Sequence, residues 1–568
     1  MRVERGASQV LFGMLPTQTV DLQGRVWRVA HWTDPLPLRL DQSTVRSALV
    51  DAIGPWIVSG QDAGLGIELQ ARPAIDVVEV NRDRGVLVES FPSQWRCRTC
   101  GRLTPRRTEP CICGSSSIAQ MHFVAYHTCG RMREPNLPPR CRTHNAIAVR
   151  LPGTATAREL AFFCPECQAP LAQGFPYQRC DCGDAMSISV HRAGAVFSPQ
   201  YTVLVNPPDL AAAGRLRAFG GAARALQWVV DGMREDGGSE ERQTVEGLME
   251  SLVQQGISRD YARTIAEQAL ERGEVERGSE QGEIELPGDI RDRAQEEALA
   301  LRAAVDGGRV RIADMVAGTT PPQQLLYREN YPRALEAARL SSVDLLTNFP
   351  VATLAFGFTR GGLGPGQSQL VPFRERGGLR AYGALSRTEA LLFQFNPSAI
   401  YDCLVRSGFE LPPAGSAREA RLAILRAARV PVAGEQHPQD LGSRLLEVLH
   451  SYTHRLIRTL AAFAGIERDA LAEYLIPHHL CAIVYSAGRG EFVLGGLQAV
   501  FETALDRFLT AFVTGEARCP LDPGCRNGGG ACMACLHLGE PSCRFYNGSL
   551  DRAALFGPAG FLRGDQVA

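Results

Sequence analysis

The sequence predicts a multi-domain α+β protein built on zinc ribbons, with a helical insertion and a mixed α/β C-terminal core. Three observations lead there. The 568 residues, 45% hydrophobic and 21% charged, have the length and balance of several ordinary globular domains at roughly 100 to 200 residues each. Of 17 cysteines, ten lie between Cys97 and Cys182 and five between Cys519 and Cys543, with Cys403 and Cys481 apart. Helical and strand patterns of hydrophobicity alternate through residues 320–515, which is the pattern of a mixed core.

In chain order, residues 1–94 alternate short β-branched runs with turn residues, as in Val26-Trp-Arg-Val29 and Ile75-Asp-Val-Val-Glu-Val80. They read as a small α+β domain, mostly strands. Residues 95–205 form the zinc-ribbon module, closing on the strand Tyr201–Val205 ahead of Pro207-Pro208. Residues 206–330 are an acidic helical insertion. Within it Val245–Leu270 reads as a small helical bundle with Leu248, Leu252, Ile265 and Leu270 on amphipathic faces, and Arg272–Gly288 as a charged linker,. Residues 331–515 are the α/β core, with a long helix from Leu441 to Phe463 apolar at 445, 446, 449, 456, 457 and 460. A buried strand follows at Cys481–Tyr485, then a helix from Gly495-Gly496-Leu497 to about Thr514. Residues 516–568 carry the C-terminal cysteine cluster.

Net charge is −1, with 60 basic against 61 acidic residues, so any attraction for nucleic acid must come from local patches. One such patch is residues 95–150, at +8, with Arg98, Arg102, Arg106 and Arg107 close to the first cysteines; residues 236–297 stand at −10. The acidic segment reads either as a solvated helical surface or as a mask for a basic groove. All 60 basic residues are arginine. Without lysine there is no phosphate-loop lysine, no kinase ATP lysine and no Schiff base, so autonomous ATP hydrolysis by the usual motor chemistry is excluded. The N-terminus lacks the pattern of a signal peptide and no apolar run reaches membrane length, which predicts a soluble, cytoplasmic chain.

The cysteine spacings are those of metal knuckles rather than of a disulfide framework. Cys97-x-x-Cys100 with Cys111-x-Cys113 places four thiolates on two tight turns, as a zinc ribbon does, and Cys164-x-x-Cys167 with Cys180-x-Cys182 repeats the pattern,. Four cysteines leave no open position for water, so both sites read as structural Zn(2+), with iron–sulfur ligation the lesser alternative. Cys129, Cys141 and His144 suggest a third site with His127 or His122 as fourth ligand; buried free cysteines and a solvent-facing histidine would equally explain them. At the C-terminus Cys525, Cys532, Cys535 and Cys543 are the expected ligands and Cys519 the spare or alternate. Three or four zinc ions are therefore expected.

Candidate catalytic groups are few. His450 and His454 share one helical face at i, i+4, but Ser451 stands where a metalloprotease helix has its general-base Glu,. A structural role competes with a degenerate hydrolase site completed by Glu473, His478 or His479. Gly361-Gly362, Gly377-Gly378 and Gly528-Gly529-Gly530 lack the setting of a dinucleotide loop and read as turns, and no G-x-S-x-G elbow occurs.

Several stretches resemble DrmB, the accessory subunit of the bacterial DISARM anti-phage system, and the cysteine-rich domain that follows the motor in some superfamily-two helicases. The resemblance is carried by His450-Ser-Tyr-Thr-His454, Tyr485, Gly495-Gly-Leu497, Asp522-Pro-Gly-Cys525, Cys532-x-x-Cys535-Leu536, Glu540-x-x-Cys543 and Phe545-x-Asn547-x-x-Leu550-Asp-Arg552. Gly357-Phe-Thr-Arg360 and Glu389-Ala-Leu-Leu-Phe393 add to it upstream. It covers roughly residues 330–560, and the order of elements from 90 to 205 more loosely. Where that family has a Cys-x-x-Gly-His-like segment this chain reads Tyr126-His-Thr-Cys-Gly130, and the acidic insertion is not part of the likeness. The resemblance implies a noncatalytic, DNA-associated subunit partnering a separate DrmA-like helicase in antiviral defence. A metal-dependent nuclease or hydrolase using His450, His454 and Glu473 is the alternative.

Overall fold

The computed structural model describes residues 1–107, 109–151, 156–207, 215–216, 219–233, 252, 261–265, 284–316, 320–362, 366–431, 439–487, 495–539, 542–543, 545 and 547–563. The architecture is mixed α+β. Its contacts gather into two compact units, Met1–Leu210 with Pro350–Arg387, and Ala211–Phe349 with Thr388–Ala568. Two long strands, Leu340–Thr359 and Gly378–Phe395, give one portion to each unit.

The first unit opens with an antiparallel sheet in which Arg2–Val3, Val86–Ser90, Arg25–Trp32 and Thr19–Leu22 lie side by side. The Thr19–Leu22 and Arg25–Trp32 strands are joined by Gln23-Gly24, both at positive φ (52° and 71°). That is the turn whose twist suits a two-residue hairpin. Inward residues Val29, Trp32, Val86 and Val88 bury against Val10 and Leu11 of the helix Ala7–Gly13. The helix Gln42–Val58 begins where the Asp41 carboxylate accepts the Thr44 N–H at 2.8 Å, satisfying one of the free donors of the first turn. It buries Val45, Leu49, Ile53 and Trp56 on strand residues Val77, Leu354, Phe356 and Ala381. Residues 95–190 then build three small three-stranded sheets: Trp95–Cys97 with Leu103–Thr104 and Ile118–Gln120; Phe123–Tyr126 with Met132–Arg133 and Ser187–Val190; and Ala148–Arg150 with Ala161–Phe163 and Pro170–Gln173. The strand expected at Tyr201–Val205 starts earlier, at Ser198.

In the second unit the strand Cys481–Ser486, buried throughout, pairs antiparallel with Leu471–Ile476 on one side and with Ala390–Gln394 on the other. The helix Leu441–Ala464 packs on it. Its N-cap Asp440 accepts the Ser443 N–H at 2.8 Å, and Gly465, at φ 65°, ends it in the left-handed conformation,. All six apolar positions read from the sequence are buried, and so are the polar His450, Ser451, Thr453 and His454. The single helix expected from Gly495 to Thr514 is instead two, Gly496–Thr503 and Leu505–Thr514, broken at Ala504 with φ −142°. The hydroxyl of buried Tyr331 donates to the Phe501 carbonyl and accepts the Leu505 N–H at the break, replacing helical hydrogen bonds that the kink gives up.

Of the insertion, the described residues include the helices Gly221–Val230 and Gly288–Asp306. The bundle expected at Val245–Leu270 and the linker at Arg272–Gly288 lie largely outside the described residues. Among the described residues no helix is long and apolar enough to cross a membrane.

Glu389, only 4% exposed, sits at the start of the Gly496–Thr503 helix, where its two carboxylate oxygens accept the Leu497 and Gln498 N–H groups at 2.9 and 3.0 Å. A carboxylate there satisfies free donors and complements the helix dipole. Glu389→Ala is expected to destabilise the second unit by about 2–3 kcal/mol, seen as earlier loss of its tertiary signal in a denaturant titration with the metal content of the native protein unchanged.

Candidate metal centres

Each of the three small sheets in the first unit projects cysteine-bearing turns, and all six turns close in the same way. In the longer form the N–H four residues on returns to the carbonyl of the first ligand: Gly101 to Cys97, Asn145 to Cys141 and Gln168 to Cys164, at 2.8–2.9 Å. In the shorter form the return spans three residues: Gly114 to Cys111, Gly130 to His127 and Gly183 to Cys180, at 2.7–3.0 Å. Every closing residue has positive φ, which aims both ligand side chains of a turn to one side. Glycine takes that conformation without strain at four of the six positions,.

The turns pair into three clusters. Cys97, Cys100, Cys111 and Cys113 form the first, with Sγ–Sγ distances of 3.6 Å (Cys97–Cys113) and 3.7 Å (Cys100–Cys111). His127, Cys129, Cys180 and Cys182 form the second, with Cys129–Cys180 at 3.5 Å and His127 Nδ1 at 3.2 Å from the Cys182 sulfur. Cys141, His144, Cys164 and Cys167 form the third, with His144 Nδ1 at 3.6 Å from both the Cys141 and Cys164 sulfurs.

This corrects the expected grouping. Cys164, Cys167, Cys180 and Cys182 do not share one site. The strand Phe123–Tyr126 pairs with Ser187–Val190, so the turn after the former meets the turn before the latter. Likewise Ala148–Arg150 pairs with Ala161–Phe163, carrying Cys141 and His144 to Cys164 and Cys167. The suspected third site is thereby divided between two clusters, and His122 belongs to neither; it packs against Phe123 at 4.5 Å, and burial holds its basicity below the usual imidazole range. A sequence signal for the pairing did exist. His127-x-Cys129-Gly130 has the short form of Cys111-x-Cys113-Gly114, and Cys141-x-x-His144-Asn145 the long form of Cys97-x-x-Cys100-Gly101.

The second unit holds a fourth cluster of Cys519, Cys525, Cys532 and Cys535, with sulfurs 3.5 Å (Cys519–Cys532) and 3.7 Å (Cys525–Cys535, Cys532–Cys535) apart. Here too the expected set is corrected: Cys519 is in and Cys543 is out. The Asp522 carboxylate accepts the Cys519 and Arg526 N–H groups and is held by Arg552 at 2.7 Å, which folds the loop between Cys519 and Cys525 back so that Cys519 reaches the others. Cys543 lies instead with His450, His454 and Glu473, its sulfur 3.3 Å from His450 Nε2. Ser451 accepts the Asp551 N–H at 2.9 Å. His478 and His479 are committed elsewhere, to the Glu297 carboxylate at 2.7 Å and the Ala294 carbonyl at 2.6 Å.

No cysteine is in a disulfide, and each of the four sulfur-rich clusters could hold a metal ion. The thiols within one cluster titrate in opposite directions. Burial raises both Cys97 and Cys100, but backbone N–H groups of Cys100 and Thr99 donate to Cys97 and bring it down to about 6, while Cys100 is pushed up to about 12. Crowded sulfurs give up their last protons reluctantly unless a cation joins them.

The module is tied down by arginine. Arg360, 1% exposed, donates to the carbonyls of Gly130 (2.8 Å), Thr17 (3.2 Å) and Val196 and rests on the Phe358 ring at 4.9 Å. Burial lowers it to about 9. Of the four arginines near the first cysteines in the basic patch, Arg98, Arg106 and Arg107 are exposed, Arg107 while pairing with Glu109, and Arg102 is half-buried and pairs with Glu166. Arg131 and Arg133 share Asp181 beside the second cluster.

A family model described as a domain of unknown function, DUF8724, matches residues 6–197. That stretch holds three of the four strands of the opening sheet and three of the clusters. No curated protein matches the chain.

The pairing is testable by thiol labelling. In Cys180→Ser, Cys129 and Cys182 should become alkylated at least tenfold faster than in the wild type while Cys164 and Cys167 stay protected, as mapped by mass spectrometry. Joint release of Cys164, Cys167 and Cys182 would restore the grouping by spacing. Stripping metal with a strong chelator should unfold residues 95–190 as it proceeds, because binding energy of about 10–16 kcal/mol per structural site is folding energy; circular dichroism during chelation checks this.

Proposed function

We propose that this chain is a noncatalytic, zinc-binding, DNA-associated subunit that works with a separate superfamily-two helicase, in the manner its resemblance to DrmB implies, in cytoplasmic defence against phage DNA. The observation that carries the reading is the exposure of Arg98 on the turn between Cys97 and Cys100 of the first cysteine cluster, within a segment of charge +8. An arginine on a ligand turn that a metal ion would hold suits phosphate contacts, which position a protein on DNA without reading sequence. The chemistry of the donors supports zinc. Sulfurs 3.5–4.0 Å apart lie close to the edge of a tetrahedron around an ion with Zn–S of about 2.3 Å, and four cysteines, or three cysteines with one histidine, are zinc's usual structural sets. The motor must come from a partner, since a chain without lysine has no phosphate loop of the usual kind; an obligate interface with it would bury on the order of 2,000 Å² or more.

The hydrolase alternative loses ground on burial. His450, His454 and Glu473 have side chains 0–1% exposed, and a catalytic centre must meet its substrate.

Arg98→Glu with Arg106→Glu should weaken duplex DNA binding and flatten the log–log salt dependence by about 1.8 units, the loss of two phosphate contacts, with zinc content unchanged. Fluorescence anisotropy across a salt series measures both. Unchanged affinity and slope would refute the DNA path. Co-expression with a helicase subunit should give co-elution on size exclusion and no ATPase in this chain alone, and incubation of the purified protein with DNA in Mg(2+) or Mn(2+) should give no cleavage.

A further inference from the structure

His450 and His454 lie on adjacent turns of the helix Leu441–Ala464, Glu473 on the strand Leu471–Ile476 and Cys543 in the C-terminal segment. Their four ligand atoms all fall within 4.8 Å of one another. Glu473 Oε1 is 3.0 Å from His450 Nε2 and 3.3 Å from His454 Nε2, and the Cys543 sulfur is 3.3 Å from His450 Nε2. We propose that these four side chains hold a fifth divalent metal ion of the zinc class, in a closed structural site separate from the four sulfur-rich clusters.

Hydrogen bonding alone leaves this group incomplete. His454 Nδ1 lies 2.9 Å from the Leu536 carbonyl, which can only accept, so Nδ1 carries a proton, and unless the ring takes a second proton its Nε2 lone pair faces Glu473. Two acceptors then face one another across 3.3 Å and need a cation between them. A proton serves one pair at a time, whereas an ion at the centre serves all four. Among the described residues Glu473 Oε2 and His450 Nδ1 are buried without a hydrogen-bond partner, so hydrogen bonds alone leave the Glu473 carboxylate incompletely satisfied in a sealed interior.

Geometry and charge agree on the class of ion. A tetrahedral ion with bonds of about 2.0–2.3 Å sets its ligands about 3.3–3.8 Å apart, close to the spacings found. One carboxylate, one thiolate and a divalent cation sum to zero, the balance that a fully buried site requires. The mixed set of two imidazoles, an oxygen and a sulfur is too nitrogen- and sulfur-rich for magnesium or calcium and too hard for copper(I), and it suits zinc. With four protein donors and no exposure the site offers no position to substrate. Its work is to clamp. It joins the middle of the long helix to the strand Leu471–Ile476 and to the C-terminal segment, where the Glu473 N–H also donates to the Ser542 carbonyl at 3.2 Å. Through Leu536, next to Cys535, it adjoins the fourth cluster.

The test is native mass spectrometry of the full chain saturated with zinc and freed of loosely bound ions. The wild type should carry five ions, matching the five groups, and Glu473→Gln and Cys543→Ala should each carry one fewer. An equal count in the wild type and both variants, or a saturated wild type with four or fewer, overturns the proposal. Should a variant fail to fold, the wild type reconstituted with Co(2+) decides through X-ray absorption. An average shell of three sulfurs and one nitrogen or oxygen per cobalt, as all five groups together give, supports the site, and 3.5 sulfurs with 0.5 nitrogen, as the four sulfur-rich groups alone give, refutes it. Neither readout depends on DNA or on a helicase.

Discussion

Thiols held 3.5–4.0 Å apart without a disulfide repel one another once deprotonated unless a cation lies among them, and each cluster is arranged so that a metal ion could supply that balance,. The three small sheets of residues 95–190 have strands of two to four residues, too short to be stable alone in water. Their shared core, Leu103, Met121, Phe123, Ile147, Val149, Leu160 and Phe162, is modest for so much chain. Ligand clusters at the turns supply what the core lacks, which is the usual solution for small modules.

The arginine-only composition fits the same frame. Arginine can lose its solvent and still satisfy a fork of donors, where a buried lysine tends to give up its charge. Arg360 is spent on backbone carbonyls of the metal module, Arg458 on the carbonyls of Met533, Ala534 and His537 around the fourth cluster, and Arg552 on Asp522 and two further carbonyls. The basic residues near the clusters thus serve first as scaffolding, and the net charge of the segment overstates what is offered to solvent. Asp181 draws two arginines and Glu166 a third.

Much of the chemistry was legible in the sequence. Knuckle spacings announced metal chemistry, since two donors separated by one or two residues fit a tight turn and little else. The i, i+4 histidines marked a helix face, and the apolar periodicity placed the long helix within a residue of its end. The grouping of the knuckles was another matter. Spacing along the chain makes Cys164–Cys182 look like one unit, but the antiparallel pairing of Phe123–Tyr126 with Ser187–Val190 outweighs proximity in sequence.

What the sequence determined by itself is local: which residue types carry ligand atoms, which turns present them in pairs, which segments are helical and which alternate, and that no lysine is available for phosphate chemistry. The tertiary structure decided the partnerships. Cys519 displaced Cys543 because the Asp522 carboxylate folds its loop, and Cys543 met His450, some 93 residues away, because strand and tail close over the long helix. Turn geometry depends on a few neighbouring torsions, which composition constrains. The meeting of two turns depends on strand pairing and packing across a hundred residues, and those are settled only when the whole core forms.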